Sequence, residues 1–179
     1  MVEDRIGYRY AKSVYGLAEE RKELDAVRND MQLITETVAQ SRDLYNLLQS
    51  PLVAASKKQA VIKGVFGEAV KTEMVQHLLE IVVRKGREQF IPNIARAFLE
   101  LYDQDHKILR GTLTSAYEMD AKQIEEIKSI MQQKSGQTLE IETEVDEDLI
   151  GGFTLKVGDR LFDGSIAGSI RRARREFIK

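Results

Sequence analysis

Cysteine is missing from all 179 residues, which removes disulfides, thiolate nucleophiles and sulfur metal ligands together and fits a reducing compartment. Histidine is almost as scarce. The two present, His77 and His106, belong to no His-Glu-x-x-His pattern and read as structural or surface side chains rather than as catalytic groups or metal ligands. No Gly-x-x-x-x-Gly-Lys-[Ser/Thr] loop occurs, so the chain lacks the usual means of cradling a nucleotide phosphate; neither ATPase activity nor any cofactor is expected of it. No stretch approaches the ~20 apolar residues of a membrane span. The opening Met1-Val2-Glu3-Asp4-Arg5 is acidic, with no apolar signal core behind it, so direct membrane insertion is not expected. Neither sign of charge dominates: 27 basic against 29 acidic side chains leave a formal net charge of -2, and no overall pull toward nucleic acid or anionic lipid results.

What is present is a folding composition. Hydrophobic residues make up 42% of the chain and charged residues 31%, enough for a buried core and too apolar for a disordered tail. The length allows two small units. Residues 4 to 105 carry a helical period. Ile6, Tyr10, Val14 and Leu17 recur at spacings of four and three, as a buried helix stripe does, and Leu24, Val27, Met31, Ile34 and Val38 form a second stripe. A short segment ends in Leu47-Leu48, and Ser50-Pro51 punctuates the chain. Ser56 with Gln59 predicts a capping box opening a helix through Val61, Ile62, Val65 and Phe66, with Gly67 as its stop. One further helix holds Met74 to Val83. Another holds Ile94, Phe98, Leu101 and Tyr102, with Pro92 acceptable only near its first turn. Short connections between such helices predict an antiparallel bundle.

Near residue 106 the period becomes two. Leu109, Gly111, Leu113 and Ser115 alternate with Arg110, Thr112 and Thr114, the mark of a strand with one buried face. Asp120 with Gln123 predicts a capped helix with Ile124, Ile127, Ile130 and Met131 as its apolar positions, and Gly136 ends it. Leu139, Ile141, Thr143 and Val145 alternate strictly with three glutamates, and Phe153, Leu155 and Val157 repeat the pattern. Ile166, Ile170, Ala173 and Phe177 form a last helical stripe. Five of the 12 glycines lie in the first 105 residues and seven in the last 74. The expected fold class is therefore α+β: helices over residues 1–105, then a small α/β unit over 106–179.

Two charge clusters invite chemistry. Asp146-Glu147-Asp148 ahead of Gly151-Gly152 lacks the ligand ladder and terminal glutamate of a calcium loop, and reads as a solvated loop. Arg171, Arg172, Arg174 and Arg175 on the last helix would suit a phosphate backbone, which makes a nucleic-acid-binding or other adaptor module the rival reading. They have no interleaved aromatics, however, and sit in a net acidic protein, so a solvated face or an acidic partner helix fits better. The helix from Met74 to Val83 is more informative. At about 100° per residue its apolar side chains, from Ile81 round to Val83, cover about 200° of arc, more than one core contact needs. Either it is central and covered on both flanks, or one flank is open as a groove for another helix. Tyr8 and Tyr15 add aromatic surface to the first helix, on the side away from the Ile6 stripe.

The segment Val145-Asp146-Glu147-Asp148-Leu149-Ile150-Gly151-Gly152-Phe153, continuing through Val157-Gly158-Asp159 to Phe162-Asp163-Gly164-Ser165, resembles the signature of the ATP synthase delta subunit family, called the oligomycin-sensitivity-conferring protein in mitochondria. Tyr10-Ala11-Lys12, Ser50-Pro51 with Lys57, Gly86-Arg87 and Thr114-Ser115-Ala116 agree with the family in order and spacing. His77-Leu78 and Arg110-Gly111 depart from it, where relatives often have Asn-Phe and Arg-Ala. The double glycine and Asp163-Gly164-Ser165 suit a fold corner and a helix start, and no catalytic site is implied.

The resemblance implies an N-terminal antiparallel six-helix bundle and a smaller C-terminal α/β unit in a non-catalytic stator connector, which links the catalytic head to the peripheral stalk. It implies two partners. The amphipathic N-terminal helix of an alpha subunit lies in a groove between the first and fifth helices, which favours the open flank and points to Tyr10, Val14, Leu78, Ile81 and Val82 as its lining. A b-type stalk subunit meets the C-terminal unit. Such a protein is peripheral to the membrane, on the cytoplasmic face of the cell membrane or, in a plastid, the stromal face of the thylakoid.

Overall fold

In the computed structural model, which describes residues 2–146, 148–158 and 160–177 apart from the side chains of residues 2–4, 134, 135, 171–173 and 175–177, the first helix α1 (Val2–Arg21) buries a different stripe from the one its period suggests. Gly7, Ala11, Val14 and Ala18 face the core, whereas Ile6 and Tyr10 are half-covered and Leu17 is exposed. The small residues win because they let the helix approach closely. A Cβ on Gly7 would stand 2.9 Å from Cβ of Asn93 and 3.0 Å from its carbonyl carbon. The larger side chains, about a quarter-turn round the helix, are thereby left near the surface.

Gly7→Ala should therefore lower stability by about 1–3 kcal/mol through overpacking, even though alanine is the better helix former. Gly16 is a control on the same helix, since an added Cβ there meets nothing within 4 Å. Gly16→Ala should raise stability by about 0.5–1 kcal/mol. Urea unfolding of the two variants checks the opposite signs.

Helix α2 (Leu24–Gln40) buries Val27, Met31, Ile34 and Val38 as its period predicts, and Asp30 with them. Asp30 accepts hydrogen bonds from the backbone N–H groups of Lys71 (3.1 Å) and Thr72 (2.8 Å) and from the Thr72 hydroxyl, so its burial is compensated. Ser41 caps α3 (Arg42–Gln49) by accepting from the Leu44 N–H at 3.2 Å. The capping box expected of Ser56 and Gln59 is not formed. α4 (Ala55–Phe66) starts earlier, its N-cap is Ala54 without a side-chain bond, and the Ala54 carbonyl already accepts from Lys57 and Lys58. Asp30 instead secures the start of α5 (Glu73–Arg84) through Thr72, its N-cap. A 3-10 turn, Glu88–Phe90, leads into α6 (Ile91–Asp105), with Pro92 in its first turn. Phe66, Phe98, Met31, Ile34, Leu48 and Ile94 are the largest fully buried side chains of this helical part among the described residues.

The contacts divide the chain into Met1–Gln104 and Asp105–Lys179, at the place where the sequence period changes. The second unit begins with β1 (Ile108–Ser115), followed by α7 (Ala121–Ser135), whose predicted capping box is formed between Asp120 and Gln123. Then come β2 (Thr138–Val145), β3 (Phe153–Val157), β4 (Arg160–Asp163) and α8 (Ile166–Phe177). The sheet order is β2-β1-β3-β4. β1 runs parallel to β2, with Leu113 opposite Thr143, and antiparallel to β3, with Leu113 opposite Leu155. Leu113, Leu139, Leu155 and Val157 form the core, with Ile124, Ile127 and Met131 of α7 against it. Ile130 and Val145 are exposed, contrary to their stripes: Ile130 points off the α7 contact face, and Val145 ends an edge strand with only one neighbour. In all, the described residues form a mixed fold of eight α-helices and one four-stranded sheet.

Candidate functional site

The surplus apolar surface of α5 divides into three. Val75 and Val82 are fully buried, and Val82 lines a small internal cavity of about 10 Å³ with Met31, Ile34 and Ile94. On one flank Leu79 and Val83 face Ile62 and Phe66 of α4 across a shallow hollow of about 140 Å³. On the other flank Met74, Leu78 and Ile81, with Glu73 and His77 at the rim, face Tyr10, Ser13, Val14, Leu17 and Arg21 of α1 across a cleft of about 450 Å³.

Four of the five residues named from the sequence meet in this cleft: Tyr10, Val14, Leu78 and Ile81. Val82 does not. It follows Ile81 by about 100° of helix rotation, which turns it into the core, and it is 0% exposed. The cleft has a layered profile suited to an apolar helix. Val14, Met74 and Leu78 are nearly buried and make its floor, while Leu17 and Ile81, both 39% exposed, stand on its walls.

One end of the cleft is fixed by Arg87. Its Nη1 donates to the Tyr10 hydroxyl at 3.0 Å and its guanidinium lies 5.9 Å from the Tyr10 ring centroid, a cation–π contact. The Gly86-Arg87 pair thus has a definite task, which spacing alone did not show. Behind it, Lys58 of α4 is buried and paired at 2.6 Å with Glu88 of the 3-10 turn. The same ammonium donates to the Leu48 carbonyl at the end of α3, at 3.2 Å. Lys57, its neighbour, is exposed. His77 is exposed at the rim, its Nδ1 2.8 Å from the Glu73 carbonyl oxygen. Tyr8 is exposed, but Tyr15 packs on Phe98, ring centroids 5.5 Å apart, so it adds to the core and not to the surface.

In the second unit the two halves of the glycine-rich signature meet each other. Gly152 has φ +82, and a Cβ there would stand 2.5 Å from the Gly164 carbonyl oxygen and 2.9 Å from Cα of Ser165. Both the left-handed backbone and the close approach call for glycine. Gly164 donates to the Phe153 carbonyl at 2.9 Å and Ile166 to the Gly151 carbonyl at 3.0 Å. Ser165 accepts from the Gly168 N–H at 3.0 Å, capping α8. The signature therefore builds a corner from which α8 starts. Asp146 and Asp148 are exposed, joined by an Asp148 N–H bond to the Asp146 carboxylate at 3.0 Å, as a solvated loop requires. Glu147, Asp159 and the side chains of Arg171, Arg172, Ala173, Arg175 and Phe177 lie outside the described residues. Ile166 and Ile170 of α8 are 50% and 63% exposed, and Leu161 and Phe162 of β4 are exposed too.

No arrangement for covalent chemistry is found among the described residues, and no group of three acidic or histidine side chains there is set to hold a metal. No described helix is long and apolar enough to cross a membrane. Comparison with known proteins agrees with a binding role. The family model described as "ATP synthase delta (OSCP) subunit" matches residues 6–177. "ATP synthase subunit delta" of Lactobacillus gasseri is 32% identical over 177 residues, 98% of this chain and 96% of that protein. The subunit of the same name from Chlorobium phaeovibrioides is 32% identical over 170 residues, 95% and 93% of the two chains. A chain of the cryo-EM structure of the Toxoplasma gondii mitochondrial ATP synthase hexamer shares the fold at a TM-score of 0.69 and 20% identity, covering 97% of both chains. The chain belongs to the ATP synthase delta (OSCP) subunit family, a structural, non-catalytic component of the enzyme's stator.

Proposed function

We propose that the cleft between α1 and α5 holds the amphipathic N-terminal helix of an ATP synthase alpha subunit, and that residues 106–179 engage the end of a b-type peripheral stalk subunit. The observation that carries this reading is the cleft itself: a floor of Val14, Met74 and Leu78 with Leu17 and Ile81 on its walls, lying open on helices that are otherwise well packed. An apolar helix face presenting side chains at i, i+3, i+4 and i+7 matches such a surface. In this reading the helices before β1 close as an antiparallel six-helix bundle, lined at the groove by Tyr10, Val14, Leu78 and Ile81. The protein sits at the membrane periphery, on the cytoplasmic face of a bacterial cell membrane or the stromal face of a thylakoid.

The task is mechanical. Rotation of the central shaft applies torque to the catalytic head, and the connector resists it through affinity and stiffness rather than chemistry. A helix buried along a groove dissociates slowly, since affinity resides mostly in the off-rate. In the second unit, the exposed Ile166 and Ile170 of α8 offer an apolar contact for the stalk.

The two roles should separate physically. A chain cut after Asp105 keeps its own hydrophobic core and should capture the alpha-subunit peptide as well as the full chain does, yet retain none of the b-type C-terminal region. Paired pull-downs measure both. Capture of the stalk by the truncated chain would remove the second unit from that role.

A further inference from the structure

Beside the cleft, the outer face of α1 carries Arg5, Arg9 and Lys12 around the exposed ring of Tyr8, and these line an open hollow of about 400 Å³ that shares Ser13 with the cleft. The sequence supplies no counter-charge within a helical turn after any of the three. The residues three and four further on are Tyr8 and Arg9, Lys12 and Ser13, and Tyr15 and Gly16. Among the described residues no carboxylate pairs with them. Arg5 and Arg9, four apart, instead repel each other, an arrangement that weakens an isolated helix. In a chain of net charge -2, three cations on one helix face with no carboxylate partner among the described residues suit an anionic partner.

We propose that Arg5, Arg9 and Lys12 bind carboxylates on the helix seated in the cleft, carried on the flank that passes Ser13. This rests on the groove reading above and adds the partner's charge pattern: an apolar stripe with an acidic edge. The cleft is apolar and holds the helix by burying its apolar face, which sets the rotation but is nearly blind to the direction in which the helix runs. A cationic strip along one wall only removes that ambiguity, because reversing the helix would carry its acidic flank to the other wall. Tyr8 supplies a flat apolar body between the cations and a hydroxyl able to donate to the same carboxylates.

The experiment titrates the full chain with a peptide copied from the N-terminus of the alpha subunit of the same enzyme, by calorimetry at low and high salt. For the wild type, affinity should fall about tenfold between low and high salt. The triple variant Arg5→Gln, Arg9→Gln, Lys12→Gln should bind about 10- to 100-fold more weakly at low salt and lose the salt dependence. Replacing the peptide's carboxylates by amides should give the same loss with the wild-type chain and no further loss with the variant. Lys122→Gln, on α7, serves as a control that neutralises a cation elsewhere and should have no effect, and unchanged circular dichroism establishes that the variants fold. Tight binding that ignores salt, the triple variant and the amidated peptide would overturn the inference while leaving the groove reading intact. Absence of wild-type binding would overturn both. Wild-type retention on anionic phosphatidylglycerol vesicles, lost in the triple variant while peptide affinity stays unchanged, would assign the cations to a membrane surface and overturn the inference likewise.

Discussion

Ile81→Glu should weaken binding of the alpha-subunit helix by about 2–4 kcal/mol, roughly 30- to 1,000-fold in Kd, and leave the protein folded. The two halves of this expectation have one cause. Ile81 is 39% exposed in the free chain, so a glutamate there keeps its charge in water and costs the fold little. In the complex the same position is covered by an apolar helix, and the carboxylate must then be desolvated without a partner. Leu17, equally exposed on the opposite wall, should respond in the same direction when changed to glutamate. Calorimetric titration with the peptide gives the Kd, and the far-UV circular dichroism signal reports the fold. A folded Ile81→Glu protein that binds normally would show that the helix does not lie against this wall.

Lys58→Met should have the opposite profile, costing about 3–5 kcal/mol of stability by stranding a charge. Glu88 is buried, its Oε1 lies 2.6 Å from Lys58 Nζ, and its Oε2 has no hydrogen-bond partner. Removing the ammonium leaves a carboxylate in an apolar setting with nothing to offset its lost hydration. The Leu48 carbonyl at the end of α3 loses its donor as well. The double variant Lys58→Met, Glu88→Leu removes both charges and should recover most of the loss, since a well-packed apolar pair often equals a buried ion pair. Urea unfolding of the single and double variants supplies the test. A Lys58→Met chain as stable as the wild type would mean that the pair does not hold the 3-10 turn against α3 and α4.

The sequence made the division between helices and strands legible because the hydrophobic period changes from about 3.6 to 2 within a few residues of 106. The buried face of α2, the capping box at Asp120 and the alternation in β1 followed from local pattern and are present in the structure. Failures arose where packing between elements overrules local pattern. α1 turns its small residues inward, because Gly7 allows a close approach to Asn93 that no count of apolar positions reveals. Ser56 lost the cap because the chain had already turned helical at Ala55. β4 was not foreseen, being only four residues long, although Gly158 before it, at φ +55, is an ordinary hairpin signal. At the site, the arc of α5 announced surplus apolar surface, but only the backbone rotation shows that Ile81 faces the cleft and Val82 the core. The Arg87–Tyr10 contact and the Lys58–Glu88 pair were invisible, since partners 77 and 30 residues apart leave no mark on a local window.

The central claim is that one chain holds the head and the stalk at the same time, and a three-component binding experiment tests it most directly. The full-length protein, the alpha-subunit N-terminal peptide and the b-type C-terminal region are mixed at concentrations above both dissociation constants and analysed by size-exclusion chromatography with light scattering. The account predicts a single complex containing one copy of each, with the affinity for either partner unchanged by the presence of the other, since separate units bind them. Displacement of one partner by the other, or failure of the chain to retain both, would contradict it.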